Sequence, residues 1–178
     1  TMGKIRIIGG IHRSRQIEVL DEDGLRPTLD RVKETLFNWL GQDLTGLTCL
    51  DLFTGSGSLA FEALSRNARE VIMLEQNTAV FKQLEQNKKL LKLENCIIYN
   101  QDALVYLKNL TSRKFDIIFI DPPYESDLLE QVLPLIRTFL TETSVIYVEY
   151  KNKVNFTGFE VIKQKKAGVV NFVLLKGI

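Results

Sequence analysis

Histidine and cysteine are nearly missing from this chain of 178 residues: His12 is the single histidine, and Cys49 and Cys96 are the only thiols. Both cysteines fall inside apolar, strand-like runs without metal-ligand spacing, so they read as buried free thiols and leave no ligand set for zinc. Long apolar runs are lacking as well. None approaches the roughly 18 residues of a membrane span, and the N-terminus has no signal-peptide-like apolar core, which predicts a soluble, cytoplasmic protein. An excess of one charge is also absent. Net charge is +1, so the global balance selects no acidic partner, and only local clusters can. There are no repeats, linkers or low-complexity segments. With 45% apolar residues the length suits one domain with a full core. The expected division is a β-hairpin extension over residues 1–25 and a core over 26–178, with a monomer as the default state.

What is present alternates. Lys4-Ile-Arg-Ile-Ile and Gln16-Ile-Glu-Val-Leu flank Gly9-Gly10 and predict a hairpin. Its basic residues Lys4, Arg6, Arg13 and Arg15 precede any acid, with His12 among them. That cluster is either a phosphate contact or an ordinary solvated edge, since acids return at Glu18, Asp21, Glu22 and Asp23. Arg26-Pro27-Thr28 then breaks the chain, with Thr28 as a helix N-cap or as part of a rigid pocket wall. Leu29, Val32, Leu36, Phe37 and Leu40 recur at helical spacing, and Gly41 ends the run. Trp39 reads as core or cover.

The next stretch predicts a nucleotide cradle. Strand Leu47 to Phe53 runs into Thr54-Gly55-Ser56-Gly57-Ser58-Leu59-Ala60 and a helix, an order that offers backbone N–H groups to a ligand, while Gly55 and Gly57 permit close approach. Asn67 suits the left-handed position where that helix stops. Glu75 comes 20 residues after Gly55, at the end of strand Glu70 to Glu75, where a carboxylate can hold both hydroxyls of a ribose. A long helix from Asn77 and a short strand Asn95 to Tyr99 follow. Asp102 then either caps the next helix or accepts a hydrogen bond from an adenine amino group.

The run Phe115 to Ile120 reads as a strand buried on both faces, and it ends in Asp121-Pro122-Pro123-Tyr124. Two prolines give that corner one rigid shape. An exocyclic amine on a nucleobase needs two acceptors and a stacking platform; Asp121, the Pro122 carbonyl and Tyr124 can supply them. The plainer alternative is a proline-punctuated turn with a solvated Asp121. A helix from Ser126 to Leu140, kinked or shortened by Pro134, precedes a strand from Thr143 to Glu149. Two closing strands, Gly158 to Ile162 and Gly168 to Leu175, are too near in sequence for a parallel crossover and must pair antiparallel. From Lys151 onward six lysines face the single acid Glu160, as an electrostatic patch or as the usual protection of an edge strand.

The pattern predicts an α/β fold with seven main strands. It resembles, nearly end to end, the RsmD family of bacterial 16S ribosomal RNA guanine-N2 methyltransferases. The matching stretches are Arg26 to Leu40, Asp51-Leu-Phe-Thr-Gly-Ser-Gly-Ser-Leu, Glu62-Ala-Leu-Ser-Arg, Asp116-Ile-Ile-Phe-Ile-Asp-Pro-Pro-Tyr and Val148-Glu149. The resemblance implies the class I S-adenosylmethionine-dependent, Rossmann-like fold, with helices on both faces of the sheet. It implies cofactor binding by Asp51, Phe53, Gly55, Gly57, Glu75, Asp102 and Ala103, with Arg26 and Thr28 near the methionine end. It further implies that Asp121, Pro122, Pro123 and Tyr124 hold the guanine amine of 16S rRNA, within the assembled small subunit. Arg6, His12, Arg13 and Arg15 would face the RNA. Departures are Ala60 and Asn67 where glycine is usual, and Ser14, which interrupts an Arg-Gly-Arg. An NAD-dependent oxidoreductase shares the glycine loop and Glu75, but gives the Asp121 corner no task. A non-catalytic RNA-binding module and an adenine-N6 or other exocyclic-amine methyltransferase are further alternatives.

Overall fold

A computed structural model describes residues 2–20, 30–109, 112–123 and 126–178. Strands β1 (Met2–Arg6) and β2 (Gln16–Leu20) pair antiparallel as the predicted hairpin. Helix α1 (Asp30–Leu40) leads to β3 (Thr48–Asp51), α2 (Ser58–Ser65), β4 (Glu70–Leu74), α3 (Thr78–Leu90), β5 (Cys96–Tyr99), α4 (Ala103–Lys108) and β6 (Phe115–Ile120). Then come α5 (Leu128–Leu135), a 3-10 turn (Ile136–Phe139), β7 (Leu140–Tyr150), β8 (Phe159–Ala167) and β9 (Val170–Gly177). The main sheet has seven strands in the order β5-β4-β3-β6-β7-β9-β8. Its first five strands are parallel, and β9 is antiparallel to both β7 and β8.

Strand alternation divides the core into two layers. Cys49, Met73, Phe119 and Tyr147 face α1, α2, α3 and the hairpin. Leu50, Ile72, Ile118 and Val148 face α4 and α5. Because both faces are covered, the central strands read as unbroken apolar runs. Cys49 and Cys96 are buried and free, as predicted.

Several boundaries differ from the sequence reading; β8, expected to stop at Ile162, runs on to Ala167. The helix predicted over Ser126 to Leu140 ends at Leu135, because Pro134 lies in its last turn and the chain tightens into a 3-10 segment. The strand predicted from Thr143 begins at Leu140. It carries a register shift where the partner passes from Phe115 to Ile117. Ser144 absorbs the irregularity, donating its hydroxyl to the Phe115 carbonyl at 2.6 Å and accepting the Thr141 amide at 2.7 Å.

All eight residues of α2 are buried, since the sheet covers one side and the hairpin loop the other. Glu62 is the one charged residue of that helix, between the buried Ser58 and Ser65 at its ends. Its carboxylate accepts the Ile8 and Gly9 amides, each at 2.9 Å, and the Arg66 Nε at 2.8 Å. The Lys33 Nζ lies 3.4 Å away and donates to the Arg6 carbonyl at 2.9 Å. This buried ion cluster fastens the extension to the core.

Candidate active site

Chain order creates the site. After β3 the chain adds β4 and β5 on one side, then returns to place β6 on the other. The crossovers leave a crevice at the carboxyl ends of β3 and β6, where open α/β sheets hold ligands. Sheet register decides which side chains meet there. Asp51 stands opposite Met73 on one neighbour and Phe119 on the other. Glu75 and Asp121 each lie two residues beyond those partners. With a period of two, all three belong to the same face of the sheet.

A cavity of about 320 Å³ occupies the crevice. Asp51, Phe53, Gly55, Glu75, Asp102, Ala103, Asp121, Pro122 and Pro123 line it, as do Thr54, Asn77, Gln101 and Leu128. Gly57 is not part of the lining. Its φ of 84° and the 2.5 Å at which a Cβ would meet the Phe61 ring show a different task, the packing of the α2 N-terminus. Gly55 has φ 53° and donates its N–H to Glu75 Oε1 at 3.0 Å. Glu75 Oε2 accepts the Asn77 amide at 2.9 Å. Glu75 therefore pins the glycine turn, and each oxygen retains a second lone pair for a ligand donor.

Asp102 caps α4, its Oδ1 accepting the Leu104 amide at 2.7 Å and the Val105 amide at 3.2 Å. It lines the cavity as well, so the helix-cap reading is borne out and the second oxygen, Oδ2, is left over from the cap. Asp51 is 2% exposed. Burial pushes its carboxyl up to about 7; the Thr54 hydroxyl and the Phe53 amide oppose the shift, while the Asp121 charge adds to it. Burial also raises the Glu75 pKa, against the pull of the Asn77 and Gly55 amides.

At the corner after β6, Pro122 is buried and Pro123 exposed, and Ser126 donates its hydroxyl to the Pro123 carbonyl at 2.7 Å. Arg26, Thr28 and Tyr124 lie outside the described residues. The residues Arg6, His12, Arg13 and Arg15 belong to the hairpin and do not line the cavity. Arg6 pairs with Asp30 at 3.0 Å, and Arg15 reaches the Leu90 carbonyl at 3.2 Å. Burial and the Arg15 charge lower the His12 pKa, so this ring is neutral at pH 7 and adds no charge to the cluster. Ser14 takes a φ of 70°, a left-handed position that favours glycine.

The buried pair Lys33 and Glu62 was not singled out by the sequence reading. A signal was available. Lys33 stands one residue after Val32 and four before Phe37, at the helical spacing of the apolar positions, and Glu62 is the one charged residue between Ser58 and Ser65. Among the described residues no helix is long and apolar enough to cross a membrane.

Comparison with known proteins bears on the family and the fold. The model of the family described as conserved hypothetical protein 95 matches residues 5–176. Ribosomal RNA small subunit methyltransferase D from Haemophilus influenzae is 44% identical over 97% of this chain and 93% of its own length. The protein of that name from Escherichia coli is 44% identical over 83% of this chain and 75% of its length. The solved structure of yhhF from Escherichia coli, given as a candidate methyltransferase, superposes with a TM-score of 0.89 at 39% identity, covering 98% of each chain. The chain therefore belongs to the RsmD family of methyltransferases, the family described as conserved hypothetical protein 95.

Proposed function

We propose that this protein transfers a methyl group from S-adenosylmethionine to the exocyclic N2 amine of a guanine in bacterial 16S ribosomal RNA. The observation that carries the reading is the shared cavity: the glycine turn, Glu75, Asp51 and the Asp121–Pro122 corner line one crevice. Relatives over most of the chain bear the name ribosomal RNA small subunit methyltransferase D. The small-subunit particle is the substrate on this reading, the enzyme acts as a monomer, and its place of work is the cytoplasm. Residues 1–25 form the extension and 26–178 the catalytic core.

The residues present fit the cofactor. A cavity ringed by Asp51, Glu75, Asp102 and Asp121 suits a ligand with a positive centre, and an end-of-strand acid beside a glycine turn suits a ribose. When bound, S-adenosylmethionine supplies an electrophilic methyl group on a sulfonium. Asp121 and the Pro122 carbonyl accept the two N–H groups of the target amine and direct its lone pair into the cavity. Tyr124 stacks on the base. Asp121 would stabilise the positive charge that develops on nitrogen as the N–C bond forms and the methyl–sulfur bond breaks to leave a neutral thioether, and the amine proton would then pass to solvent. Positioning and electrostatics supply the rate, so no strong base is required. Arg6, Arg13 and Arg15 offer phosphate contacts away from the cavity.

Nucleoside mass spectrometry of 16S rRNA from cells with and without this protein tests the proposal. The expected result is one N2-methylguanosine that vanishes with the gene and returns on complementation; an unaltered nucleoside profile would refute it.

A further inference from the structure

We propose that Glu149 reads the target base, accepting the N1–H of guanine while the Asp121–Pro122 corner holds the adjacent N2 amine; this rests on the methyltransferase reading above. Strands β6 and β7 run parallel with Phe119 opposite Tyr147 and Ile120 opposite Val148. Continued one residue past the end of β6, that register sets Asp121 beside Glu149. Phe119 and Tyr147 both face the α1 layer, so alternation sets the two acids on one face, on strands about 4.8 Å apart.

A second cavity, of about 300 Å³, lies beside the first, and Pro122 and Pro123 line both. Glu149 lines the second and is 4% exposed. An acceptor at this place has a chemical meaning. Three nucleobases carry an exocyclic amine, but only in guanine is the adjoining ring nitrogen a donor; adenine N1 and cytosine N3 are acceptors. An ionised carboxylate only accepts. Beside an amine-holding corner it therefore favours guanine and rejects the other two. Lys151 and Lys153, exposed at the rim of this cavity, suit the phosphates flanking an extruded base.

The decisive substrate pair is guanine against 2,6-diaminopurine, which keeps the 2-amine but turns N1 into an acceptor. Small subunits are reconstituted with 16S RNA carrying either base at the nucleotide found to be methylated, and kcat/KM is measured for each. The wild-type enzyme should prefer guanine roughly 10- to 100-fold, the range expected when one base-edge contact worth about 1–3 kcal/mol is lost. In Glu149→Gln, whose amide can donate to N1, the ratio should fall towards or below one while the affinity for S-adenosylmethionine stays unchanged. Comparing ratios between enzymes cancels any difference in intrinsic amine reactivity. A variant that slows both substrates equally assigns Glu149 a purely structural part and overturns the proposal. So does a wild-type enzyme that uses both bases alike, a measurement that stands even where the variant fails to fold. If the wild-type enzyme methylates neither particle, the methyltransferase reading itself has failed.

Discussion

Gly55 donates its backbone N–H to Glu75 Oε1 at 3.0 Å, tying the turn after β3 to the end of β4 without any ligand. The same carboxylate accepts the Asn77 amide at the start of α3, so one side chain sets the relative position of three segments lining the cavity. It is thus a support for the glycine turn as well as the residue proposed to accept the ribose hydroxyls.

Replacing that acid should weaken cofactor binding and loosen the glycine turn. Glu75→Ala removes two charge-assisted hydrogen bonds and a ligand acceptor, each such bond being worth about 1.5–3 kcal/mol. Calorimetry should show S-adenosylmethionine binding weakened by at least about tenfold. A titration identical to wild type would remove Glu75 from the cofactor site.

Asp121 separates chemistry from binding. Asp121→Ala should abolish turnover while S-adenosylmethionine still binds, because in the proposed mechanism the corner holds the amine rather than the methyl donor. Asp121→Asn keeps an acceptor oxygen but loses the charge that opposes the developing cation, so its rate should fall between the two. Full activity in the alanine variant would show that the corner is only a turn.

Ionisation of Asp51 should be visible in the pH dependence of binding. Its folded pKa is raised to about 7, against about 3.9 when unfolded. Between those values the folded state holds the extra proton, so this residue makes stability fall as pH rises through that window. S-adenosylmethionine carries one more positive charge than its thioether product. The cation should therefore gain affinity as pH climbs through 7 and the product much less, read as dissociation constants from pH 6 to 8. Parallel curves for the two ligands would dissociate Asp51 from the sulfonium.

The Glu62 cluster predicts a large stability effect remote from the cavity. Glu62→Gln leaves Lys33 and Arg66 buried without a countercharge, and breaking a buried pair in this way costs about 3–5 kcal/mol. Denaturant unfolding should show it, together with faster amide exchange at Ile8 and Gly9, whose N–H groups Glu62 accepts. A loss below about 1 kcal/mol would mean the cluster contributes little more than an exposed pair.

Relief of backbone strain can be tested in the basic loop. Ser14 has φ 70°, and Ser14→Gly should raise stability by up to about 1 kcal/mol, the usual cost of a left-handed non-glycine residue. An unchanged or lowered melting temperature would contradict this.

The order of the elements was legible in the chain itself, because periods of 2 and 3.6, two glycines in a turn and a double proline are local properties. So were Gly55, Glu75, Asp102 and Asp121 as strand-end residues. The family resemblance added their roles, but neither spacing nor resemblance could show that Glu75 binds the Gly55 amide or that Asp102 spends Oδ1 on a helix cap. Those facts depend on which strands become neighbours and in what register. The same holds for Lys33, whose ammonium is tolerated inside only because Glu62 arrives from α2, and for β7, which starts early because Ser144 can bond the Phe115 carbonyl across the sheet. Local pattern determines what each segment becomes, since backbone sterics and apolar spacing act within a few residues. Tertiary packing decides which charges meet, since the cost of burying a carboxylate is settled by partners that lie far away along the chain.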